Sequence, residues 1–431
     1  MVRYKSNLLE GGQMKSKLFT RNFSLLIAGQ TISLFANCIL DFAFSMYILE
    51  QTGSATIFAG VLAISMLPTI ILSPLGGVLA DRANRRNIMV FLDFTSGLVI
   101  MICALLINRG NDLTVICVSL VLLSILGAFE SPTVQACVPQ MQSGDNIVRG
   151  NAVVNQISAL SVLIGPFVGS LLYTALGLKI VLYAGTACFF ATALFECFIK
   201  LPHIKTELSS SILTTVRNDL SSSSHYISKV RPSILKTLIL IAVISFFIQG
   251  VALIGLPYIV RNTLNLSANY YGVAESLLGC AGLVGSIIAG LIVTKFHIKR
   301  LSEMILGMGF FLFPIGVAFL FPASAIFHYI VLLIFFAVIQ VIASLFSVFG
   351  LSIIQQLTPQ NMAGKVMSFV ATITLCSQPI SQILYGIAFD LFSSSVYWVI
   401  IPTGVALCMI GLSSKLFFTR LEQQLKENCD T

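Results

Sequence analysis

From Phe23 onward, stretches of about twenty apolar residues follow one another with only short polar breaks. A run of that length with almost no charge is what a helix needs to cross a bilayer. Lipid offers backbone N–H and C=O groups no partners, so such runs fold as helices. They are continuous rather than alternating, which excludes an outer-membrane barrel. Twelve are read, at 23–49, 57–80, 87–107, 113–139, 152–176, 180–200, 235–260, 272–294, 302–321, 326–350, 366–392 and 396–418. Twelve spans need about 240 residues, and 57% of the 431 residues are hydrophobic. Only 10% are charged, against about 25% in a soluble domain. A soluble globular chain, a disordered chain and a secreted disulfide scaffold are thereby excluded. The predicted fold class is an all-α membrane protein.

One long polar stretch divides the spans into six and six. The expected organisation is an N-tail at 1–22, a first half at 23–200, a linker at 201–234, a second half at 235–418 and a tail at 419–431. In the linker Leu208, Ile212, Val216 and Leu220 recur every fourth residue, which predicts a short amphipathic helix on the inner surface. Ser221 to Ser224 read as a flexible joint. Residues 1–20 hold Arg3, Lys5, Lys15 and Lys17 but no apolar core, so no signal peptide is read, and Met14 is a second candidate start.

The net charge of +8 is a matter of orientation rather than of nucleic-acid binding. Of 25 Lys and Arg, only Arg109, Lys179 and Arg261 fall on one side of the twelve spans; the other 22 fall opposite. Positive charge stays on the cytoplasmic side, so both termini are expected there, in the cell membrane. The ten Cys contain no C-x-x-C pair and read as small buried residues, with no disulfide or metal framework.

After the second span comes Gly77-Val-Leu-Ala-Asp81-Arg82-Ala-Asn84-Arg85-Arg86. It resembles the G-x-x-x-D-R-x-G-R-R loop of the major facilitator superfamily. Asn84 stands where Gly is usual, and Asn tolerates left-handed backbone. A degraded copy follows the eighth span at Gly290, Thr294-Lys295 and Lys299-Arg300, the matching place in the second half. The competing reading is a set of ordinary orienting positives. The resemblance implies that Gly77, Asp81, Arg82, Arg85 and Arg86 form a conformational gate that braces helices across the two halves.

The fifth span reads Ser161-Val-Leu-Ile-Gly165-Pro166-Phe-Val-Gly169-Ser170. It is similar to the G-x-x-x-G-P-x-x-G-G signature of drug/proton exporters of that superfamily, with Ser at the first and last small positions. Ser161, Gly165 and Gly169 share one helix face, as do Gly282, Ser286 and Gly290 in the eighth span. Two such smooth faces are expected to approach across the halves, although generic helix packing explains them too. Gly29-Gln30, Thr52-Gly53-Ser54, Phe129-Glu130-Ser131-Pro132 and Asn151-Ala152 add a likeness to the macrolide-efflux-type branch. That likeness covers about residues 20–420. It implies a fold of twelve transmembrane helices in two six-helix halves, and export.

Carboxylates inside spans are costly in lipid and mark function. Asp41 lies about 20 residues, or about 30 Å, beyond Arg21, toward the outer half. No Lys or Arg within a turn holds it ionised, so it is a candidate proton carrier; the alternative is a buried Asp bonded to neighbours such as Asn37. Glu130, in the inner part of the fourth span, and Glu275, early in the eighth, are further proton-coupling candidates, with structural pairing as the alternative. Asp93 is expected to pair with the basic loop, and Glu196 and Asp390, near span ends, to be solvated. Asn155, Gln156, Gln249, Gln340 and Gln378 are candidates for a substrate cavity, or for bonds between helices.

The sequence holds no nucleotide-binding loop, no metal cluster and no catalytic triad. It reads as a transporter driven by an ion gradient, without cofactor and not as an enzyme. Its expected partners are protons, the lipid bilayer and a small amphipathic substrate, with no nucleic acid and a monomeric state. Basic residues are missing at mid-depth, which favours neutral or cationic substrates. The alternatives are an exporter of an endogenous metabolite or siderophore, a lipid transporter, and a membrane sensor that transports nothing.

Overall fold

The computed structural model describes residues 18–201, 232–293, 296–359 and 362–430. The regular elements among them are helices. Helix α1 spans Arg21–Thr52, α2 Ala55–Arg82, α3 Arg85–Leu106 and α4 Asp112–Met141. The helical stretch Asp145–Cys197 is broken at Gly177, where φ is 75° and ψ 167°, into α5 and α6. Glycine alone adopts that backbone without strain. Helix α7 runs Pro232–Thr263. Then come α8 (Ala268–Ile292), α9 (Arg300–Ala318), α10 (Ala325–Leu357), α11 (Ala363–Leu391) and α12 (Tyr397–Asp430).

Eleven of these stretches are long and apolar enough to cross a membrane, and one of them has 53 residues. That stretch extends about 80 Å, enough for two crossings, so the chain makes twelve. The break at Gly177 falls where the sequence predicts the gap between the fifth and sixth spans. Polar residues set the helix starts. Thr20, Ser54, Asn84 and Ser324 each accept a bond from a backbone N–H of the first turn. Asn84 has φ −69°, so it serves as a cap and not as a left-handed turn residue. The linker helix expected over 208–220 lies outside the described residues.

Leu291, Leu391, Leu416 and Ile71 are 77%, 74%, 70% and 68% exposed. In water such a belt would drive aggregation; facing lipid it is the required surface. The interior is stitched by small residues. A Cβ at Gly97 of α3 would meet Phe190 of α6 at 2.6 Å, and one at Gly309 of α9 would meet the Gly404 carbonyl of α12 at 2.7 Å. Likewise α2 packs on α4 and α8 on α10. Adding six to each helix number turns one set of contacts into the other, as parallel repeats require. Between the halves the principal contacts are α2 with α11 and α5 with α8, which the same operation also interchanges.

The last helix does not stop at 418. It continues through the segment read as a tail, with Phe418 and Leu421 buried and Glu422 accepting from the Lys299 N–H at 3.1 Å.

Candidate functional site

A cavity of about 520 Å³ lies among α5, α7, α8 and α10. Val162, Leu253, Leu256, Leu278 and Leu283 make most of it apolar; Gln249, Gln340, Ser286, Ser344 and Glu275 supply its polar points. No Lys or Arg lines it, and Glu275 is its one charged residue. The wall from α7 is irregular. Gly250–Gly255 and Ile259–Thr263 are π-helical, directly after Gln249. Such wide turns often mark functional positions. A Cβ at Gly250 would lie 2.1 Å from the Tyr385 ring, so α7 is pressed closely onto α11 here.

Glu275 is not alone. Asp41, on α1 of the other half, acts on it electrostatically, and Cys38, one turn before Asp41, feels both carboxyls. Asp41 keeps an exposed surface although it sits 20 residues into a helix of 32. Beside it the rings of Phe42 and Tyr271 stack across the two halves with centroids 5.4 Å apart. Two of the three predicted proton-coupling acids are thus neighbours at the seam between the halves. Glu130 is elsewhere: Ser33 approaches it at 3.4 Å within the first half.

Just beyond these acids, the end of the bundle that carries the α1–α2 turn is latched. Arg261 of α7 pairs with Glu50 of α1 and also donates to the Leu266 carbonyl. Tyr173 of α5 donates to the same Glu50 at 2.6 Å. Asn262 donates to the Gly53 carbonyl at 2.8 Å; Gly53 makes the α1–α2 turn with φ 61°. Asp390 of α11 caps α2, accepting from Ser54 Oγ at 2.5 Å and from the N–H groups of Ala55 and Thr56 at 2.7 and 2.9 Å. A Cβ at Gly272 of α8 would meet Ser170 at 2.4 Å and the Pro166 carbonyl at 2.8 Å. The inter-half hydrogen bonds among the described residues cluster at this end.

Several expected positions fall otherwise. Gln249, Gln340, Gly282 and Ser286 line the cavity, but Asn155 and Gln156 are exposed on α5 outside that lining, and Gln378 is half-buried in α11. The smooth faces of α5 and α8 do not meet each other. Gly165 and Gly169 press against Cys38 and Phe42 of α1, within the first half. Gly282 faces Gln340 of α10, Ser286 pairs with Ser344 at 2.9 Å, and Gly290 faces open space. Across the halves it is Pro166 and Ser170 that oppose Gly272, while Leu163 opposes Gly279. Ser161 is buried and bonds back to the Ile157 carbonyl at 2.9 Å.

In the basic loop Gly77 faces open space. Arg85 donates to the carbonyls of Ala80 and Ala136, both at 2.8 Å, and Arg86 to that of Cys197. These bonds tie α2, α4 and α6 of one half together. The side chains of Asp81 and Arg82 lie outside the described residues. Asp93 does not join this loop; it is 1% exposed and bonded to Ser33 at 3.3 Å. Glu196, expected in solvent, is 0% exposed. Asp390, also expected in solvent, is held by the α2 cap. Sequence reasoning missed Glu50, Arg261, Tyr271 and Asp390. A signal was present for two: Arg261 is one of three cations on its side, and Glu50 is an acid at the matching end of α1.

Twelve crossings in two equivalent halves, with a cavity and two acids at their seam, define a membrane transporter and not an enzyme. Residues 26–377 match the Major Facilitator Superfamily, and the chain belongs to that family. Macrolide efflux protein A of Streptococcus pyogenes is 23% identical over 391 residues, covering 90% of this chain and 94% of the relative. The multidrug efflux pump Tap of Mycolicibacterium fortuitum is 20% identical over 410 residues, covering 93% and 95%. Among solved structures, a bacterial homologue of the iron transporter ferroportin in the inward-facing state superposes with a TM-score of 0.71 at 16% identity, covering 92% of this chain and 98% of that one. The peptide transporter POT in complex with sulfate gives 0.70 at 15%, covering 94% and 95%. At these identities the structures establish the fold.

Proposed function

We propose that the protein exports a small amphipathic compound, neutral or cationic, in exchange for protons by alternating access. The observation that carries this reading is an apolar cavity without a cation, with Glu275 in its lining and Asp41 across the seam beside the stacked Phe42 and Tyr271. A carboxyl there can take a proton from outside when the seam opens outward and release it when the seam opens inward, because the dielectric and the neighbouring charge both change. A cationic or hydrogen-bonding substrate competes for the same acids, which makes the exchange obligatory. The relatives named for macrolide and multidrug efflux support export and a bulky substrate.

On this reading, which the distribution of Lys and Arg supports, both termini are cytoplasmic, so the latched end is the outer gate, closed in this structure. The basic loop around Asp81 then sits at the inner end, where it acts as the opposing gate. A proton falling through about 150 mV supplies about 3.5 kcal/mol. That sustains a gradient of about 300-fold, since about 1.4 kcal/mol is tenfold.

Inside-out vesicles test the export reading. Acidifying the vesicle interior is expected to drive accumulation of a radiolabelled macrolide, and a protonophore is expected to abolish it. Accumulation that survives the protonophore would sink proton antiport; failure with macrolides and lipophilic cations alike would sink the substrate class. Orientation has its own check. In a Cys-free background, a single Cys at Asn84 should react only with reagent supplied from the cytoplasm, and one at Asn111 only from outside. The opposite pattern inverts the assignment of both gates.

A further inference from the structure

A second group of acids lies inside the first half, away from the cavity. Asp93 of α3 and Glu196 of α6 are 1% and 0% exposed, and Glu130 of α4 is half-buried. The three act on one another electrostatically. The other groups that bear on them are Ser33 and Gln30 of α1 and Cys197 of α6; no Lys or Arg is among these. Nearby, Arg85 is bonded to the Ala136 carbonyl and Arg86 to that of Cys197.

The hydrogen bonds of this group need protons that three ionised acids lack. Ser33 Oγ lies 3.3 Å from Asp93 Oδ1 and 3.4 Å from Glu130 Oε1. A hydroxyl has one hydrogen, so it can donate to only one of them. The other contact becomes a full hydrogen bond only if that carboxyl donates. Both oxygens of Glu196 and Oδ2 of Asp93 are buried with no partner in good hydrogen-bond geometry, although the two carboxyls face each other and can bond once one of them carries a proton. The amide of Gln30 is 4% exposed; its Nε2 has no partner in good hydrogen-bond geometry and lies toward Glu130. Three uncompensated charges at this depth are not sustainable, whereas neutral carboxyls are.

Close packing brings the group together. A Cβ at Gly29 would lie 3.2 Å from Thr192 Cγ2 and 3.7 Å from Glu196 Cγ, and Thr192 bonds to the Gly29 carbonyl at 3.3 Å. The Gly29-Gln30 pair therefore has two roles. The glycine admits α6, and the glutamine enters the acid group.

We propose that Asp93, Glu130 and Glu196 form a second proton-binding site, in which three carboxyls share protons with Ser33 and Gln30 inside the first half. Glu130, the least buried, is the point of exchange with solvent, and Asp93 and Glu196 are the store behind it. Removing protons sets like charges against each other on α3, α4 and α6. Those helices carry the carbonyls to which Arg85 and Arg86 are bonded, or the arginines themselves, so the basic loop senses the change. This site does not depend on the export reading, and its test reads bound protons rather than transport.

The test uses purified full-length protein carrying Asp41→Asn and Glu275→Gln, which removes the acids at the seam. Infrared spectra should show a protonated-carboxyl band at neutral pH that shifts in deuterated water and fades as the pH rises. Adding Glu196→Gln, Asp93→Asn or Glu130→Gln should each remove part of the band. A band absent at neutral pH, or untouched by all three, overturns the proposal. The thermal midpoint is a second reading that needs no further variant. It should fall as the pH is raised from mildly acidic to alkaline, because removing the shared protons sets the three carboxylates against one another. A midpoint independent of pH counts against the site. A midpoint raised by sodium or calcium ions in this background, but not after Glu196→Gln, replaces the proton with a metal ion.

Discussion

Asp41→Asn is expected to abolish gradient-driven accumulation while leaving downhill substrate exchange in proteoliposomes. The asparagine keeps the volume of the side chain and mimics an acid that never releases its proton. Asp41 sits at the seam beside Glu275, so a side chain frozen in one state lets the halves rock but uncouples rocking from the gradient. The accumulation ratio should fall from as much as about 300-fold to near one. Glu275→Gln should impair the same step, and it should also weaken binding of cationic compounds, because Glu275 lines the cavity. If Asp41→Asn still accumulates substrate while Glu275→Gln does not, coupling rests on Glu275. If both accumulate it normally, the seam acids are not the carriers.

Arg261→Gln is expected to shift the protein toward the state open at the α1–α2 end. Arg261 and Glu50 are 19% and 32% exposed at the side chain, so their pair is partly shielded from water. Removing the arginine leaves Glu50 with the Tyr173 bond alone and frees the Leu266 carbonyl. A coupling of about 1–3 kcal/mol corresponds to a shift of about 5–150-fold between the two states. A Cys at Thr174, which bonds to Asn269 across the seam at 3.0 Å, should become more reactive toward a polar reagent by a factor in that range. Glu50→Gln should act in the same direction. The exchanged pair, Glu50→Arg with Arg261→Glu, should restore part of the closure. If reactivity is unchanged in both single variants, the ion pair does not hold this end shut.

The helices were legible because lipid constrains each stretch of chain locally. Length, apolarity and the absence of charge are properties of consecutive residues, so the spans and the gap at Gly177 could be read directly. The repeat was legible for a related reason, since the basic loop after the second span has its degraded copy after the eighth. Partners were harder to read. Spacing shows that Ser161, Gly165 and Gly169 share a face, but any helix can fill a smooth face, and α1 fills it here. Asp41 lies 20 residues into α1, as its spacing from Arg21 requires. For Asp93 and Glu196, nearness to a loop or to a span end suggested cations or water as company, and the folded chain supplies other acids.

By itself the sequence determined that this chain carries twelve stretches able to cross a membrane and that the basic loop after the second recurs in degraded form after the eighth. The crossings follow from the free energy of moving local segments into lipid, which is additive along the chain. Only the tertiary structure decided which charges meet. Glu50 finds Arg261 at a separation of 211 residues, and Asp390 reaches back to cap α2 from 336 residues away. Asp41 comes to lie on the opposite side of the seam from Glu275, and Asp93 joins Glu130 and Glu196. Those pairings depend on the order and rotation of packed helices, set by small residues such as Gly29 and Gly272 whose partners no local pattern encodes.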